Sequence, residues 1–441
     1  MINSLKKILR KMDITMSDEV IENLTLKHYE KILKKEYSFS KPVYKKTTLT
    51  QQSENGKKKR DVYSLDRNST EYVICEYLKM KLDSSFQIKY SDRKKIIKIL
   101  LNTLPALKDL NDFTLIRFDF KSFFNSVSTN FIMTHFIESS SINRRDKELF
   151  ADFCREFPFC FAGLQTSNAM TEIACEQFDR IFKSKLSDYG VVYCERYVDD
   201  VLIILNKYIT KSDFEILLNE CINLVFIDCK VKINERKFCY ISKRDMNLKN
   251  SFDFLGYDFT LLKTQEGTTK FEFGITKSKI NKYQAKIRQS LSEYNNDQNL
   301  ELLRHRMKLF SIRIVYSMDL NDGYCHWVTK GLINNYNELR FHLDSLDKKT
   351  KRFLQYAFYD EMRKNGVSCP YYMLKEFDEN NQSIYNIYSN LKRNRSMVFD
   401  EKIGVSFKTL VCEMRKIQPS YYSGTKVYYQ VVQDYLDCLG I

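Results

Sequence analysis

The sequence is poor in residues that interrupt secondary structure, and it lacks the long apolar runs of membrane proteins. Only 5 Pro and 12 Gly occur among 441 residues, so we expect helices to dominate over irregular loops. No stretch of about 18 uninterrupted apolar residues is present. The segment Met1 to Ile14 has no signal-peptide pattern. We therefore expect a cytoplasmic protein without a membrane partner.

Cysteine and histidine are present, but not in the arrangement of a zinc site. The 12 Cys are scattered, no C-x-x-C pair occurs, and the 5 His lie far apart in the sequence. Zinc sites need closely spaced thiolates and imidazoles, so we expect none here. Scattered thiols usually pack as small apolar residues in a reducing compartment, and we expect no disulfides.

Positive charge is the first feature present in excess. The chain has 71 Lys and Arg against 56 Asp and Glu, a formal net charge of +15. Such a surface attracts polyanions, so nucleic acid is the first partner to consider. An anionic membrane surface, or a merely soluble lysine-rich surface, remains open from charge alone. The hydrophobic content of 43% is sufficient for two or three domains with buried cores.

Hydrophobic periodicity divides the chain into three parts. Residues 1–110 are predicted to form helices and a β-hairpin with a basic tip around Lys57–Arg60. Residues 111–275 mix strands and helices, and residues 276–441 show helical spacing rich in Lys and Tyr. The strand-like runs are Thr114–Phe118, Val191–Val198, Val201–Leu205, Lys230–Asn234 and a hairpin from Phe252 with its turn near Glu266-Gly267. The pattern predicts an α+β protein with an all-helical C-terminal region.

Three aspartates give the sharpest chemical signal. Asp199 and Asp200 are adjacent at the tip of a predicted hairpin, and Asp119 ends the strand Thr114–Phe118. Neighbouring carboxylates repel each other and lose hydration when they are ordered together, and a divalent cation can supply the compensating charge. An isolated Asp-Asp pair is more often part of a surface turn. The apolar strands on both sides favour a metal-binding site.

The acids belong to an ordered set of segments that resembles the motifs of reverse transcriptases. The set comprises Lys58-Lys59-Arg60 before Val62-Tyr63, Arg117-Phe118-Asp119-Phe120-Lys121-Ser122-Phe123-Phe124, Gly163-Leu164-Gln165-Thr166-Ser167-Asn168-Ala169-Met170-Thr171, Tyr197-Val198-Asp199-Asp200, Lys237 after Asn234-Glu235-Arg236, and Phe254-Leu255-Gly256-Tyr257. These segments resemble the basic fingers motif and the first to fifth palm motifs. The resemblance covers residues 55–260.

The resemblance implies a two-metal active site. Asp119 and Asp199 would be the principal ligands, Asp200 an auxiliary carboxylate, and the backbone carbonyl of Phe120 a further ligand. Two Mg²⁺ ions, with Mn²⁺ as an alternative, would activate a 3′-hydroxyl and stabilise the pyrophosphate leaving group.

The resemblance also implies a nucleotide-binding set. Lys58 and Arg60 would contact the incoming triphosphate, although a solvated charge run explains Lys58 equally well. Phe124, five residues after Asp119, matches an aromatic residue that excludes a ribose 2′-hydroxyl and so favours deoxynucleotides. An ordinary core aromatic is the alternative for Phe124. Lys237 would protonate pyrophosphate, or would be a surface lysine.

One segment departs from the pattern. The family's second palm motif reads Gly-x-Pro-Gln-Gly, but Gln165, Thr166 and Ser167 stand at the Pro, Gln and Gly positions, and Thr171 at a following Ser. Losing Pro and Gly changes the permitted backbone conformations, so templating is the property most affected. Gln165 and Thr166 remain predicted contacts of the nucleotide. Such departures resemble bacterial defence-associated and abortive-infection reverse transcriptases.

The implied fold is a right-hand polymerase, with fingers in 1–110, an antiparallel-sheet palm in 111–275, and an all-α thumb and C-terminal domain in 276–441. The implied function is RNA-directed DNA synthesis from dNTPs, in antiphage defence, with an RNA template that could be a dedicated non-coding RNA. A template-independent or protein-primed nucleotidyltransferase and an inactive nucleic-acid-binding module are alternatives. Homo-oligomerisation stays open. Tyr and Phe in the C-terminal region could stack on single-stranded bases, but most should pack between helices.

Overall fold

The structure is a computed structural model that describes residues 1–13, 16–40, 43–53, 56–263, 269–319, 325–367 and 383–440, without the side chains of 51–58 and 318–326. The chain divides into two compact units, Met1–Asn250 and Ser251–Ile441. Both mix helices with sheets that are mainly antiparallel, which confirms the α+β prediction. Among these described ranges, no helix has the length and apolar character needed to cross a bilayer.

The first unit contains helices of varied length and a set of short strands. Its helices are α1 Ile2–Met12, α2 Asp18–Leu33, α3 Thr70–Ser85, α4 Arg93–Thr103, α5 Thr129–Ile132, α6 Arg144–Glu156, α7 Gln165–Leu186 and α8 Lys211–Val225. Its strands are β1 Tyr44–Ser53, β2 Gly56–Leu65, β3 Thr114–Asp119, β4 Val191–Tyr197, β5 Asp200–Leu205 and β6 Cys239–Ser242. Polar residues open several helices, as when the Ser69 hydroxyl accepts a hydrogen bond from the Tyr72 N–H at the start of α3.

A four-stranded antiparallel sheet forms the centre of this unit, in the order β4-β5-β3-β6. Every residue of β3 is buried, and the strand is paired on both edges, with β5 and with β6. Helix α7 packs against the sheet through rings, with Phe182 contacting Phe118 and Phe178 contacting Phe120. The strand that ends at Asp119 is therefore held on both edges and on at least one face.

Strands β1 and β2 pair along their whole length, from Tyr44 opposite Leu65 to Ser53 opposite Gly56, which confirms the predicted hairpin. The basic run Lys57–Arg60 lies within β2 at the end of the hairpin next to the turn, where it pairs with Leu49–Gln52.

The second unit is also mixed. Its helices are α9 Lys277–Asp297, α10 Leu300–Ser311, α11 Leu332–Asn335, α12 Lys348–Lys364, α13 Ile387–Lys392, α14 Phe407–Ile417 and α15 Tyr428–Cys438. Strands β7 Lys249–Phe254, β8 Tyr257–Lys263 and β9 Thr269–Ile275 form one sheet. Strands β10 Arg313–Asp319, β11 Cys325–Lys330 and β12 Ser396–Phe399 form another.

The second of these sheets corrects the expectation that residues 276–441 are all helical. Strand β10 pairs antiparallel with β11 and parallel with β12. Ile314 and Tyr316 are buried, as alternate residues of a strand with one covered face should be. The alternation is only a few residues long, and the lysine-rich and tyrosine-rich helices around it obscured it in the sequence.

One further predicted strand is only partly present, and one predicted turn falls outside the described residues. The predicted strand Lys230–Asn234 forms only a single bridge, between Ile233 and Phe120. The reason is that the chain after β3 turns away at Ser122, whose φ is 49°. The predicted turn at Glu266-Gly267 lies outside the described residues. The domain limits at 110/111 and 275/276 stay predictions.

Candidate active site

Asp119 and Asp200 lie directly opposite each other on β3 and β5. Opposite residues of an antiparallel pair share one face of the sheet, so the two side chains stand side by side. Asp119 is buried and Asp200 is partly buried. Like charges in this position are destabilising unless something compensates them. Two elements distant in sequence thus bring their acids together at one end of the sheet.

Asp199 lies in the turn that joins β4 and β5. Tyr197 pairs with Asp200, so the turn consists of Val198 and Asp199. The sequence had placed the connection at Asp199-Asp200, one residue too late. Val198 has φ of 60°, which a β-branched residue rarely adopts and which costs of the order of 1–3 kcal/mol. The Phe120 N–H donates to the Asp199 carbonyl at 3.1 Å, which fixes the turn to the end of β3.

We call Asp119, Asp199 and Asp200 the carboxylate cluster. Two cations contact acids of this cluster. The Lys237 ammonium donates to Asp119 Oδ2, and Arg117 Nη2 lies 2.8 Å from Asp200 Oδ1. Arg117 is buried two residues before Asp119 on the same face of β3, and it also donates to the Lys237 carbonyl at 3.0 Å. Sequence reasoning missed Arg117, although strand alternation would have placed it on this face.

Burial dominates the electrostatics of Asp199 and Asp200. Desolvation raises the pKa of Asp199, against the opposing influence of Lys237 and Arg60. Desolvation also raises the pKa of Asp200 to about 6, although Arg117 opposes the shift. Asp119 Oδ1 is buried and has no hydrogen-bond partner among the described residues, whereas Asp200 Oδ1 has the Arg117 guanidinium 2.8 Å away. A buried oxygen without a partner, such as Asp119 Oδ1, calls for a further cation or donor.

The side chains at the edge of this region include two of the predicted nucleotide contacts. The Arg60 guanidinium lies 6.0 Å from the centre of the Phe124 ring, which is half-buried. Arg60 is exposed on β2, and its charge is also felt at Asp199. The structure therefore brings Arg60 and Phe124 together beside the carboxylate cluster.

The start of α7 is fixed to β2 by a glycine. Gly163 has φ of +102°, and a Cβ there would lie 2.2 Å from the Tyr63 carbonyl oxygen. The Tyr63 N–H donates to the Ala162 carbonyl at 2.8 Å, and the Tyr63 ring stacks on Phe161 at 4.2 Å. The loop before α7 and the strand that carries Arg60 therefore form one packed piece.

Gln165 and Thr166 lie in the first turn of α7, where the structure shows them beside protein groups. Thr166 is fully buried, and its hydroxyl has no hydrogen-bond partner among the described residues. Gln165 lies within hydrogen-bonding reach of the Tyr72 hydroxyl. Their predicted roles as nucleotide contacts stay predictions.

Two other predicted residues can be placed only in part. The backbone of Lys58 lies in β2 opposite Gln51, but its side chain lies outside the described residues. Phe120 is buried, with its ring stacked on Phe123 at 5.1 Å. The predicted contribution of its carbonyl as a ligand stays a prediction.

A second group of charges, absent from the sequence predictions, lies behind the β4–β5 turn. Arg196 is buried and donates to Glu172 at 3.0 and 2.7 Å and to Asp179 at 3.0, 3.1 and 2.9 Å. Its Nη1 also donates to the Val198 carbonyl at 2.9 Å. This Arg196 cluster (Arg196, Glu172 and Asp179) ties the turn to α7. The seven-residue spacing of Glu172 and Asp179, two helical turns, was the available signal.

The carboxylate cluster has the donor chemistry of a magnesium site. Carboxylate oxygens are the ligands that Mg²⁺ prefers, and the buried Asp119 Oδ1 lacks a hydrogen-bond partner within the described part of the chain. Asp119, Asp199 and Asp200 would hold the ion. In the described residues no three acidic, histidine or cysteine side chains already form a complete metal site. Instead, the Lys237 ammonium contacts Asp119.

Comparison with known proteins assigns no family. No protein-family model matches the chain, and no curated protein matches it either. The interpretation of the site therefore rests on the carboxylates, their burial and their partners.

Proposed function

We propose that this chain is a nucleotidyl-transfer polymerase of the reverse-transcriptase type, which makes DNA on an RNA template in bacterial antiphage defence. The observation that carries the proposal is the buried Asp119 opposite the partly buried Asp200, with Asp199 in the adjacent turn and two contacting cations for three acids. A structural salt-bridge network would be expected to balance its acids, whereas a site for metal-bound triphosphate needs such an excess. The motif order that resembles reverse transcriptases supports the same reading.

The side chains divide the work of this reaction. The carboxylate cluster would hold Mg²⁺, which supplies activation of a 3′-hydroxyl and stabilisation of the leaving pyrophosphate. Arg60 would bind the triphosphate of the incoming nucleotide, because an exposed guanidinium suits phosphate oxygens. Phe124, next to Arg60, would lie against the sugar and exclude a 2′-hydroxyl. Lys237, about half exposed beside Asp119, can reach a departing anion.

A second candidate is template-independent nucleotidyl transfer. The start of α7 supports it, since Thr166 is buried and Gln165 lies near Tyr72. In the family that the chain resembles, this segment supports the templating base and the sugar. Altered residues that face inward would weaken the hold on a template while leaving the carboxylate cluster intact.

The test is incorporation of labelled nucleotides by the purified full chain with Mg²⁺. Each nucleotide set is offered with a primed RNA template, and again after nuclease removal of co-purified RNA. We expect deoxynucleotide incorporation that depends on the RNA. The double variant Asp199→Ala/Asp200→Ala should lose it by at least about a thousandfold, since metal binding supplies several kcal/mol. The matched control is Asp228→Ala, which removes an exposed aspartate of the same unit.

Each outcome decides something. Full incorporation by Asp199→Ala/Asp200→Ala would overturn the catalytic assignment. Incorporation that survives nuclease treatment without added template would favour the second candidate. Nucleic-acid binding with no incorporation of any nucleotide would instead support an inactive binding module.

A further inference from the structure

Two tyrosines are exposed on helix α12. Tyr356 is 51% exposed and Tyr359 is 49% exposed. At 3.6 residues per turn, these tyrosines fall on one line along the helix with Arg352 and Arg363. This line, which we call the tyrosine face, is opposite the buried face of the helix. The buried residues are Thr350, Phe353, Leu354, Ala357, Phe358, Glu361 and Met362.

Helix stability does not explain these tyrosines, and packing covers only about half of each side chain. Both rings lie on the side of α12 that faces away from its core, where lysine, glutamate or glutamine would favour a helix more strongly. Residues three apart are neighbours on a helix surface, and the rise between them is about 4.5 Å. The two rings thus form a small adjacent pair of aromatic surfaces, which is an arrangement suited to a ligand with stacked rings.

The charge around the rings is positive. Helix α12 contains six Lys and Arg and two acidic residues. Of the acidic residues, Glu361 is fully buried and pairs with Arg288 and Lys364. Asp360 pairs with Arg352 through two hydrogen bonds of 3.1 and 3.0 Å. The excess positive charge therefore remains on the solvent side, beside the tyrosines.

The cations extend past the rings in both directions along the helix. Arg352 lies close enough to Tyr356 to interact with it electrostatically. Arg363 is exposed beyond Tyr359, about 16 Å along the axis from Arg352. Lys348 is exposed one turn before Arg352. A negatively charged backbone running along the helix would meet a cation on either side of the aromatic pair.

We propose that the tyrosine face binds single-stranded nucleic acid, with neighbouring bases stacked on Tyr356 and Tyr359 and phosphates held by Lys348 and Arg363. Aromatic rings beside cations are the usual means of binding single strands without sequence preference. Bases inside a duplex are already stacked on each other, so their faces are not free. The proposal rests on the proposed function only in taking nucleic acid as the partner, because the face is independent of the carboxylate cluster.

The test measures binding rather than synthesis. The full chain is titrated in EDTA with labelled oligothymidylate and oligouridylate of about 12 nucleotides, and with a duplex of the same length. We expect Tyr356→Ala/Tyr359→Ala to weaken single-strand binding about a hundredfold, a factor of ten for each ring, with little change for duplex. The control Tyr422→Ala removes a tyrosine that is 79% exposed in the same unit and should bind normally.

Two further variants separate stacking from folding. Tyr356→Phe/Tyr359→Phe keeps both rings and should keep single-strand affinity. Tyr359→Trp should bind normally, and its fluorescence should be quenched by oligothymidylate, measured against the background of Trp327 in the parent chain. Single-strand affinity that is unchanged in the double alanine variant would overturn the proposal. The proposal would also be overturned if the double alanine variant changed oligomeric state and lost affinity equally for single strand and duplex. The tyrosines would then hold copies of the protein together.

The proposed function and the tyrosine face fail separately. Asp199→Ala/Asp200→Ala should retain single-strand binding in EDTA while losing incorporation. Single-strand binding that depends on the tyrosines, without incorporation by the parent chain, would uphold the face and overturn the polymerase. Incorporation by the parent chain, with no effect of the tyrosine variants on binding, would uphold the polymerase and overturn the tyrosine face.

Discussion

Two groups of charges lie on either side of the β4–β5 turn, and they are balanced in different ways. In the Arg196 cluster, one guanidinium meets two carboxylates with five hydrogen bonds, and a sixth goes to the Val198 carbonyl. In the carboxylate cluster, three acids share two contacting cations, and Asp119 Oδ1 has no hydrogen-bond partner among the described residues. The first group completes its own hydrogen bonding, whereas the second leaves a buried carboxylate oxygen without a partner.

The difference separates a structural role from a chemical one. A buried charge that is fully paired contributes rigidity, and its loss leaves a partner unpaired. A buried acid short of partners costs stability until a cation arrives. Because Val198 O connects to Arg196 and Asp199 follows directly, the Arg196 cluster holds the strained turn that presents the carboxylate cluster. The variants proposed for the two clusters should therefore change stability in opposite directions.

The largest effect on stability should come from Arg196→Met. It leaves Glu172 buried without its cation, and it frees the strained turn at Val198. Breaking a buried ion pair in this way costs about 3–5 kcal/mol. Urea unfolding in EDTA, followed by circular dichroism, measures the loss.

The matching change in the other cluster is Asp119→Asn. It removes one of two like charges that face each other, and Lys237, which is about half exposed, can keep its hydration. We expect unchanged or increased stability in EDTA. An Asp119→Asn variant that is as unstable as Arg196→Met would show that the two clusters play the same structural role.

The sequence predicted the acids better than their surroundings. Asp119 at the end of β3 and the hairpin that presents Asp199 follow from local apolar patterns, and the structure has both. Arg196 was missed because its partners on α7 come together only through tertiary packing. Sheet β11-β10-β12 was missed because lysine-rich and tyrosine-rich helices surround it, and because the short strand β12 joins it from far along the chain.

The next prediction is that the stability of the chain depends on pH because of Asp200. Its pKa in the folded chain is raised to about 6 by burial, above the ordinary value of 3.8. A raised carboxyl pKa means that the folded state favours the protonated form. The protonated Asp200 therefore contributes to the free energy of unfolding. This stabilisation is fully present below about pH 4 and is lost as the pH rises through about 6, at a cost of up to about 3 kcal/mol. Mg²⁺ should offset that cost only where Asp200 is ionised.

The measurement compares the parent chain with Asp200→Asn in EDTA between about pH 4 and pH 7, where the shifted group titrates. The variant cannot ionise at this position, so its stability relative to the parent should increase as pH rises. Thermal stabilisation of the parent by Mg²⁺ should be larger at neutral pH than at acid pH. A stability difference that does not change with pH would mean that Asp200 has an ordinary pKa in the folded chain.

The smallest effect should come from Phe124, at the border of the carboxylate cluster. Its ring is half-buried beside Arg60, where a sugar would follow a triphosphate held by the guanidinium. Phe124→Ala should relax discrimination against ribonucleotides about tenfold, since a single group in a pocket is worth about 1–3 kcal/mol. Competing incorporation of deoxynucleotides and ribonucleotides measures the ratio. Phe136→Ala, at another half-buried phenylalanine of the same unit, is the control. If both variants select nucleotides as the parent does, Phe124 only packs, and the preference for deoxynucleotides must originate elsewhere around the carboxylates.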